Sequence, residues 1–149
     1  MRAVIQRVSR ASVTVAGEIA GTIDRGLLVY VAAAPDDADA DIAYIADKVA
    51  HLRIFEDPDG KMNLDVAQVG GGVLLVSAFT AQADARKGRR PSFDGAAPGP
   101  IAQPLVENLT IAIRTLGIRT ETGRFAADMQ VESVNDGPIC VLLDSRRAF

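Results

Sequence analysis

The chain has 149 residues, of which 48% are hydrophobic, and its formal net charge is −3. This length and composition fit one domain with a sizeable core, so we expect a single domain over residues 1–149. One cysteine and one histidine exclude an internal disulfide and a His/Cys zinc site within one chain, although carboxylate-bound Mg²⁺ stays open. No apolar run approaches the ~20 residues of a membrane span, and no secretion signal opens the chain. We therefore expect a cytoplasmic protein, with no membrane association, no metal and no cofactor.

Strands dominate the first third of the sequence. Short alternating or apolar runs predict four of them, with a hairpin turn at Ala16-Gly17. They are Ala3 to Val8, Ser12 to Val15, Glu18 to Ile23 and Leu27 to Ala33. The acids of residues 36–39 then provide N-cap candidates for a helix. Its apolar residues fall on one face, which should cover a sheet: Ile42, Ile45, Ala46, Val49 and Leu52.

The rest of the chain mixes short strands, a long loop and a second helix. Strands are predicted at 53–55, 73–76, around Thr120, at 129–134 and at 139–143, with a turn at 57–60. A loop from about Ala81 to Pro100 is long enough to suggest function or mobility. The second helix should run from about Ile101 to Leu116, with Pro104 in its first turn and Gly117 at its end. The predicted class is α+β, a β-rich, barrel-like sheet core with two packed helices.

Hydroxyls and cations cluster after one buried strand. Ser77 and Thr80 follow the apolar run that ends at Val76, and strand ends often display functional groups. The five residues 86–90 then hold four of the sixteen Lys and Arg of an acidic chain, a patch suited to phosphate. Hydroxyls at strand ends also cap turns, and such cation clusters are often only solvated surface. The residues alone leave both interpretations open.

The missing groups constrain the mechanism. The only histidine, His51, lies in the first predicted helix beside no Ser or Cys motif, and no Gly-x-Ser-x-Gly segment occurs. A Ser-His-Asp arrangement therefore has little support. A hydrolase of this composition would act on an already activated substrate, using positioning and backbone donors aimed at an oxyanion. An aminoacyl ester on RNA meets that description. We interpret His51 as structural, Cys140 as a buried thiol and Gly137-Pro138, taken alone, as a turn.

Several segments together carry a family resemblance. They are residues 1–8, 52–57, 60–63, 76–80, 83–93, 122–125 and 135–138. In this order, and over nearly the whole chain, they resemble the D-aminoacyl-tRNA deacylases, formerly called D-tyrosyl-tRNA deacylases. The resemblance implies a homodimer, with active sites at the subunit interface, that hydrolyses the ester between a D-amino acid and the 3′-terminal adenosine of tRNA. Glycyl-tRNA is a further possible substrate of such an enzyme.

The resemblance also implies roles for individual residues. Ser77, Phe79 and Thr80 would line the reaction centre as catalytic residues, helped by the substrate's ribose 2′-hydroxyl. Gly137 and Pro138 would bind the substrate, joined by a cis peptide and reaching into the partner's pocket. There their carbonyls would hold the α-ammonium and leave no room for an L side chain. The cluster implied to bind tRNA consists of Arg86, Lys87, Arg89 and Arg90.

The chain departs from the family pattern at three positions. Ala78, within the implied substrate site, stands where the family usually has Gln; Cys140 stands where Thr would be, and Ala126 where Gly is usual. An amide at position 78 that steadied the oxyanion would be worth ~2.7 to 4 kcal/mol of transition-state stabilisation. The alternative to an active deacylase is thus an RNA-binding or interaction homologue that kept the fold and lost turnover.

Overall fold

A computed structural model describes residues 1–148. The strands and helices, in chain order, are β1 (Arg2–Val15), β2 (Glu18–Ile23), β3 (Gly26–Ala32), α1 (Asp39–His51), β4 (Phe55–Glu56), β5 (Met62–Leu64), β6 (Gly72–Ser77), a 3₁₀ helix (Phe79–Gln82), α2 (Gly99–Thr115), β7 (Thr120–Thr122) and β8 (Gln130–Asp144). The predicted α+β class, a barrel-like sheet with two helices, is confirmed.

The main sheet curls almost into a barrel. Its strand order is β2-β1-β3-β6-β7, and β8 pairs with β1 in addition to these neighbours. The pairs β3–β6 and β6–β7 are parallel. The two ends of this order meet, because a Cβ on Gly21 of β2 would lie only 2.6 Å from the Thr122 carbonyl oxygen of β7. Glycine is thus what lets the barrel close so tightly at this point.

Two apolar clusters lie on opposite sides of the sheet. The larger joins the sheet to α1 and α2, and the smaller fills the barrel. Strand β1 contributes to both, since Ile5 faces the helices while Ala11 and Val13 face the interior. A register shift between Val8 and Arg10 makes this possible, because one extra residue reverses the side to which alternate side chains point.

Four strand predictions merge into two strands. The predicted breaks at residues 9–11 of β1 and 135–138 of β8 do not separate strands, since β1 and β8 pair on both sides of each irregularity and absorb it as a register shift. Gly137-Pro138 is therefore not a turn between strands but part of β8, and its peptide bond is cis. Cys140 is exposed rather than buried, because the alternation of β8 directs Leu143 toward the core and Cys140 away from it.

The helix termini also differ from expectation. The N-cap of α1 is Ala38, whose N–H donates to Asp41 Oδ2 at 2.8 Å. Asp37, an expected cap, instead accepts from the Met1 ammonium and the Ala34 N–H, both at 2.6 Å. Helix α2 begins at Gly99, so Pro104 lies in its second turn and not in its first. Proline has no N–H, so α2 lacks one backbone hydrogen bond at this position.

Candidate active site

A cleft of about 660 Å³ opens at the carboxyl ends of β3 and β6. These neighbouring strands are parallel, and Val31 pairs with Ser77 at their ends. The lining includes all four residues of the predicted strand-end motif: Ser77, Ala78, Phe79 and Thr80. Small and apolar side chains from β3, α2 and the segment 125–131 form the remaining walls. The carboxyl edge of a parallel pair is where open sheets commonly bind ligands.

The strand end turns sharply into the 3₁₀ helix. Ala78 N–H donates to the Val31 carbonyl at 2.8 Å, which extends the pairing by one residue before the chain turns. The turn then closes through Ala81 N–H to the Ala78 carbonyl at 3.0 Å. Phe79 and Thr80 occupy the first turn, where amide N–H groups have no acceptor inside a helix. The cleft is thus bordered by two backbone donors together with the Ser77 and Thr80 hydroxyls.

Gln82 fastens this turn to the sheet, a role that the sequence analysis missed. Its side chain is only 8% exposed, and Nε2 donates to the Ala32 carbonyl at 3.3 Å. Residue Ala97 also bonds this end of β3, through its N–H to the Ala33 carbonyl at 2.9 Å. The only sequence signal for this role was a glutamine between Ala81 and Ala83. Its burial could not be predicted, because the carbonyl that accepts its hydrogen bond belongs to β3, which is distant in sequence.

Two further polar side chains in the cleft were also missed. Among the described residues that line it, the polar side chains are Tyr30, Ser77, Thr80 and Asp128. Burial raises the pKa of Tyr30 above its ordinary value of 10.0, so its phenol is neutral at physiological pH. Asp128 provides a carboxylate at the opposite wall. Neither position belongs to a local pattern, because each reaches the cleft only through the folding of the barrel.

Gly137 and Pro138 do not line the cleft of their own chain. Gln6 of β1 pairs with Cys140, whereas Val8 pairs with Asn135. Residues 136–139 therefore stand opposite the single residue Arg7 and form an exposed excursion from the sheet. Asn135 braces it by accepting a hydrogen bond from Ile139 N–H at 2.9 Å. The sequence analysis expects the Gly-Pro motif in the pocket of a partner subunit, and within one chain this motif lies apart from the strand-end motif.

The four predicted cations lie in one exposed loop but are not equivalent. Asp84 and Ser92 close its base through paired backbone bonds of 2.8 and 2.9 Å. Arg86 donates to the Asp84 carboxylate, with Nη2 2.6 Å from Oδ2. This contact raises the pKa of Arg86 and holds the pKa of Asp84 far below its usual range. None of the ion pairs within residues 1–148 involves the remaining three cations: Lys87, Arg89 and Arg90.

His51 lies outside the cleft, at the end of α1. Its Nδ1 is 3.0 Å from the Asp47 carbonyl and from one Asp47 carboxylate oxygen. In the described part of the chain, no group of three or more His, Cys, Asp or Glu side chains is placed to hold a metal ion. None of the helices within residues 1–148 is long and apolar enough to cross a membrane.

Comparison with known proteins decides the family. The family model described as D-Tyr-tRNA(Tyr) deacylase matches residues 4–144. A D-aminoacyl-tRNA deacylase from Anaeromyxobacter dehalogenans is 59% identical over 149 residues, with complete coverage of both chains. This chain belongs to the D-aminoacyl-tRNA deacylase family. Another deacylase, from Thermotoga petrophila, is 52% identical, again with both chains fully covered.

Solved structures share the fold of this chain. A c-Myc DNA Unwinding Element Binding Protein has a TM-score of 0.91 and 36% identity, covering 97% of this chain and 98% of its own. A probable eukaryotic D-amino acid tRNA deacylase has a TM-score of 0.83, covering 95% and 97% of the two chains. At 15% identity, that second likeness concerns the fold alone. The family match over residues 4–144 and the two deacylase relatives confirm the resemblance seen in the sequence.

The cleft between β3 and β6 contains few groups that could take part in a reaction. Backbone N–H groups and hydroxyls can donate to a carbonyl oxygen that gains negative charge, and small apolar walls can exclude water from it. The hydroxyls of Ser77 and Thr80 lack a neighbouring imidazole among the described lining residues. Such a site favours oxyanion stabilisation and substrate positioning over attack by an activated side chain.

Proposed function

We propose that this chain removes D-amino acids from tRNA as one domain over residues 1–149 of a cytoplasmic homodimer. The reaction is that of the family: hydrolysis of the ester bond in D-aminoacyl-tRNA, which releases the amino acid and free tRNA and so proofreads chirality. The observation that supports a reaction centre in this cleft is the turn from Ser77 to Thr80. It brings two backbone donors and two hydroxyls to the mouth of the cleft between β3 and β6.

Water attacks the ester carbonyl, and the turn stabilises the resulting charge. The tetrahedral intermediate carries a negative oxygen, to which the N–H groups of Phe79 and Thr80 donate. The substrate's own 2′-hydroxyl assists the proton transfers, since the cleft offers no imidazole for that task. In this proposal Ser77 and Thr80 orient the ester, and neither hydroxyl becomes acylated.

The backbone of Gly137-Pro138 selects chirality from the partner subunit. Two observations support this: the excursion is exposed, and it does not line its own cleft. Gly137 has a φ of +134°, and a Cβ there would lie 2.9 Å from the Ile139 nitrogen, so a side chain is strained at this position. In the dimer its carbonyl and that of Pro138 hold the α-ammonium, and the backbone blocks an L side chain.

Exposed apolar residues on the same strand support the homodimer. Leu142 is 58% exposed and pairs with Val4 of β1 near the end of β8. Contiguous exposed apolar patches mark contact surfaces, and Val134 of the same strand is also exposed. A second copy docked there would bury Leu142 and bring each Gly137-Pro138 segment toward the other chain.

The cationic loop binds the phosphates of tRNA. Lys87, Arg89 and Arg90 supply the charge, while Arg86 serves mainly to hold the loop through Asp84. An overall charge of −3 makes this local concentration of cations the favourable approach for a polyanion.

The second candidate is an RNA-binding homologue without turnover, and Ala78 is the observation that favours it. The deciding experiment incubates purified protein with matched D- and L-aminoacyl-tRNA and follows ester loss, with glycyl-tRNA as a third substrate. Rapid loss of the D ester alone supports the deacylase. Binding of tRNA without loss of any ester supports the second candidate and overturns the first.

A further inference from the structure

Two phenylalanine rings stand exposed beside each other at the cleft mouth. Phe79 is 58% exposed and Phe93 is 37% exposed, and their centroids are 5.2 Å apart. Their planes meet at 71°, an edge-to-face arrangement in which the rings leave most of their faces uncovered. The contrast is Phe55, which is fully buried in the core. An exposed aromatic pair of this kind is a candidate contact surface.

The pair lies between the cleft and the cations. Phe79 belongs to the cleft lining, whereas Phe93 follows Arg90 by three residues. Ser92, directly before Phe93, is tied to Asp84 by two backbone bonds, which fixes the ring at the base of the cationic loop. The rings therefore lie along the path of an RNA strand that runs from the cleft to the cationic loop.

We propose that Phe79 and Phe93 form a stacking platform for the nucleobase that precedes the 3′-terminal adenosine. The inference rests on the proposed function, because it takes the ester to lie in the cleft. Unpaired bases stack on aromatic side chains, and nearby cations hold the connecting phosphates. A duplex does not fit this surface, since its bases already stack on each other. The platform therefore requires an unpaired 3′ end, and stacking makes it tolerant of base identity.

The first test compares substrates of two lengths. D-aminoacyl-adenosine ends at the ester, whereas a D-aminoacylated RNA tetranucleotide extends across the rings. For Phe93→Ala we expect the ratio of kcat/KM, long substrate over short, to fall about tenfold or more, mostly through KM. Phe93→Tyr should restore the ratio, because tyrosine also stacks. Ile111→Ala, which removes an exposed apolar side chain from α2, is the matched control and should keep the ratio of the unmutated protein.

An unchanged ratio in Phe93→Ala would overturn the platform, as would an equal loss on both substrates. The alternative is that a second copy of the chain covers the rings, and sedimentation of Phe93→Ala tests it. If the dimer dissociates while the ratio of kcat/KM stays unchanged, the second copy, and not RNA, is the occupant. If the unmutated protein cleaves neither substrate, the proposed function fails, and the platform is judged by binding alone.

The binding test uses the absence of tryptophan from the chain. Phe93→Trp introduces the chain's single tryptophan at the platform, and a single-stranded RNA tetranucleotide without an ester should quench its fluorescence on stacking. Ile111→Trp is the control and should not respond. An RNA hairpin with a fully paired, blunt end should quench Phe93→Trp much less. Equal quenching by both RNAs, or none by the single strand at concentrations that saturate binding, would contradict the stacking role.

Discussion

The guanidinium of Arg7 holds the carbonyl of Asp136, the residue directly before Gly137-Pro138. Its Nε lies 3.0 Å from that oxygen, and Nη1 donates to the Ile54 carbonyl at 2.7 Å. Arg7 is only 6% exposed, so these bonds act in a partly desolvated setting. One buried cation thus joins the excursion of β8 to the segment after α1, and the position of Gly137 depends on it.

We therefore expect Arg7→Lys to impair chiral discrimination. Lysine keeps the charge but cannot direct two N–H groups at two carbonyls in a fixed plane. The excursion should loosen, and the ratio of D- to L-aminoacyl-tRNA hydrolysis should fall by about tenfold, the equivalent of one charged hydrogen bond of ~1.5 kcal/mol. Arg53→Lys is the control, since exposed Arg53 also donates to a carbonyl, that of Asn63. An unaltered ratio in a folded Arg7→Lys protein would refute this account.

Thr80→Ala should retain measurable turnover. The hydroxyl has no imidazole beside it among the described cleft residues, whereas the substitution preserves the backbone N–H that we assign to the oxyanion. We expect a loss well below the ~10²- to 10³-fold that follows removal of an oxyanion donor. Single-turnover hydrolysis measures the loss, and mass spectrometry searches for an aminoacyl adduct on Thr80. Trapping that adduct, or finding no activity with normal substrate binding, would contradict the prediction.

Ala78→Gln tests the main departure from the family pattern. An added amide beside the backbone donors should raise kcat, by up to ~10²-fold if it reaches the oxyanion, with little effect on KM. Gln82→Leu serves for comparison. Gln82 does not line the cleft, but its side chain fixes the same turn by donating a hydrogen bond to the Ala32 carbonyl. An unchanged kcat in Ala78→Gln would mean that the backbone amides of Phe79 and Thr80 are sufficient.

Salt dependence separates the cations of the loop. Replacing Arg89 and Arg90 by Ala should reduce the slope of log affinity for tRNA against log salt by roughly one to two, because each phosphate contact releases counterions. Arg86→Ala should change the slope less, since Asp84 already neutralises that charge. Filter binding at several salt concentrations gives the slopes. Equal slopes for the double variant and the unmutated protein would show that the loop is only solvated surface.

Asp41 should stabilise the fold above about pH 4. A hydrogen bond from the Ser145 hydroxyl at 2.6 Å, with another from Ala38 N–H, lowers the pKa of Asp41 below its ordinary value of 3.8. A lowered folded pKa gives stability that is present above the unfolded pKa and is lost as pH falls through the folded pKa. Urea unfolding between pH 2.5 and about 6 should show a drop that Asp41→Asn flattens. Exposed Asp39→Asn serves as the control, and an identical pH profile for Asp41→Asn would disprove the assignment.

Local sequence patterns were enough to predict much of the fold and the strand-end part of the candidate site. β2 begins and ends at the predicted residues, and the apolar face predicted for the first helix packs in the core as expected. The strand-end motif from Ser77 to Thr80 does line a cleft, because a buried strand displays its polar groups where it ends. These features depend on neighbours within a few residues along the chain.

Tertiary structure alone decided the rest, since the responsible partners are distant in sequence. The continuity of β1 and β8 depends on their mutual register, and no local signal separates a register shift from a turn. Asp37 is not a helix cap because the Met1 ammonium lies 2.6 Å away. Gln82 finds its acceptor on β3, and the Phe79 ring meets Phe93 across a loop. Sequence by itself therefore determined the family, the class and the segment that lines the cleft. Packing determined which donors, rings and cations surround that segment.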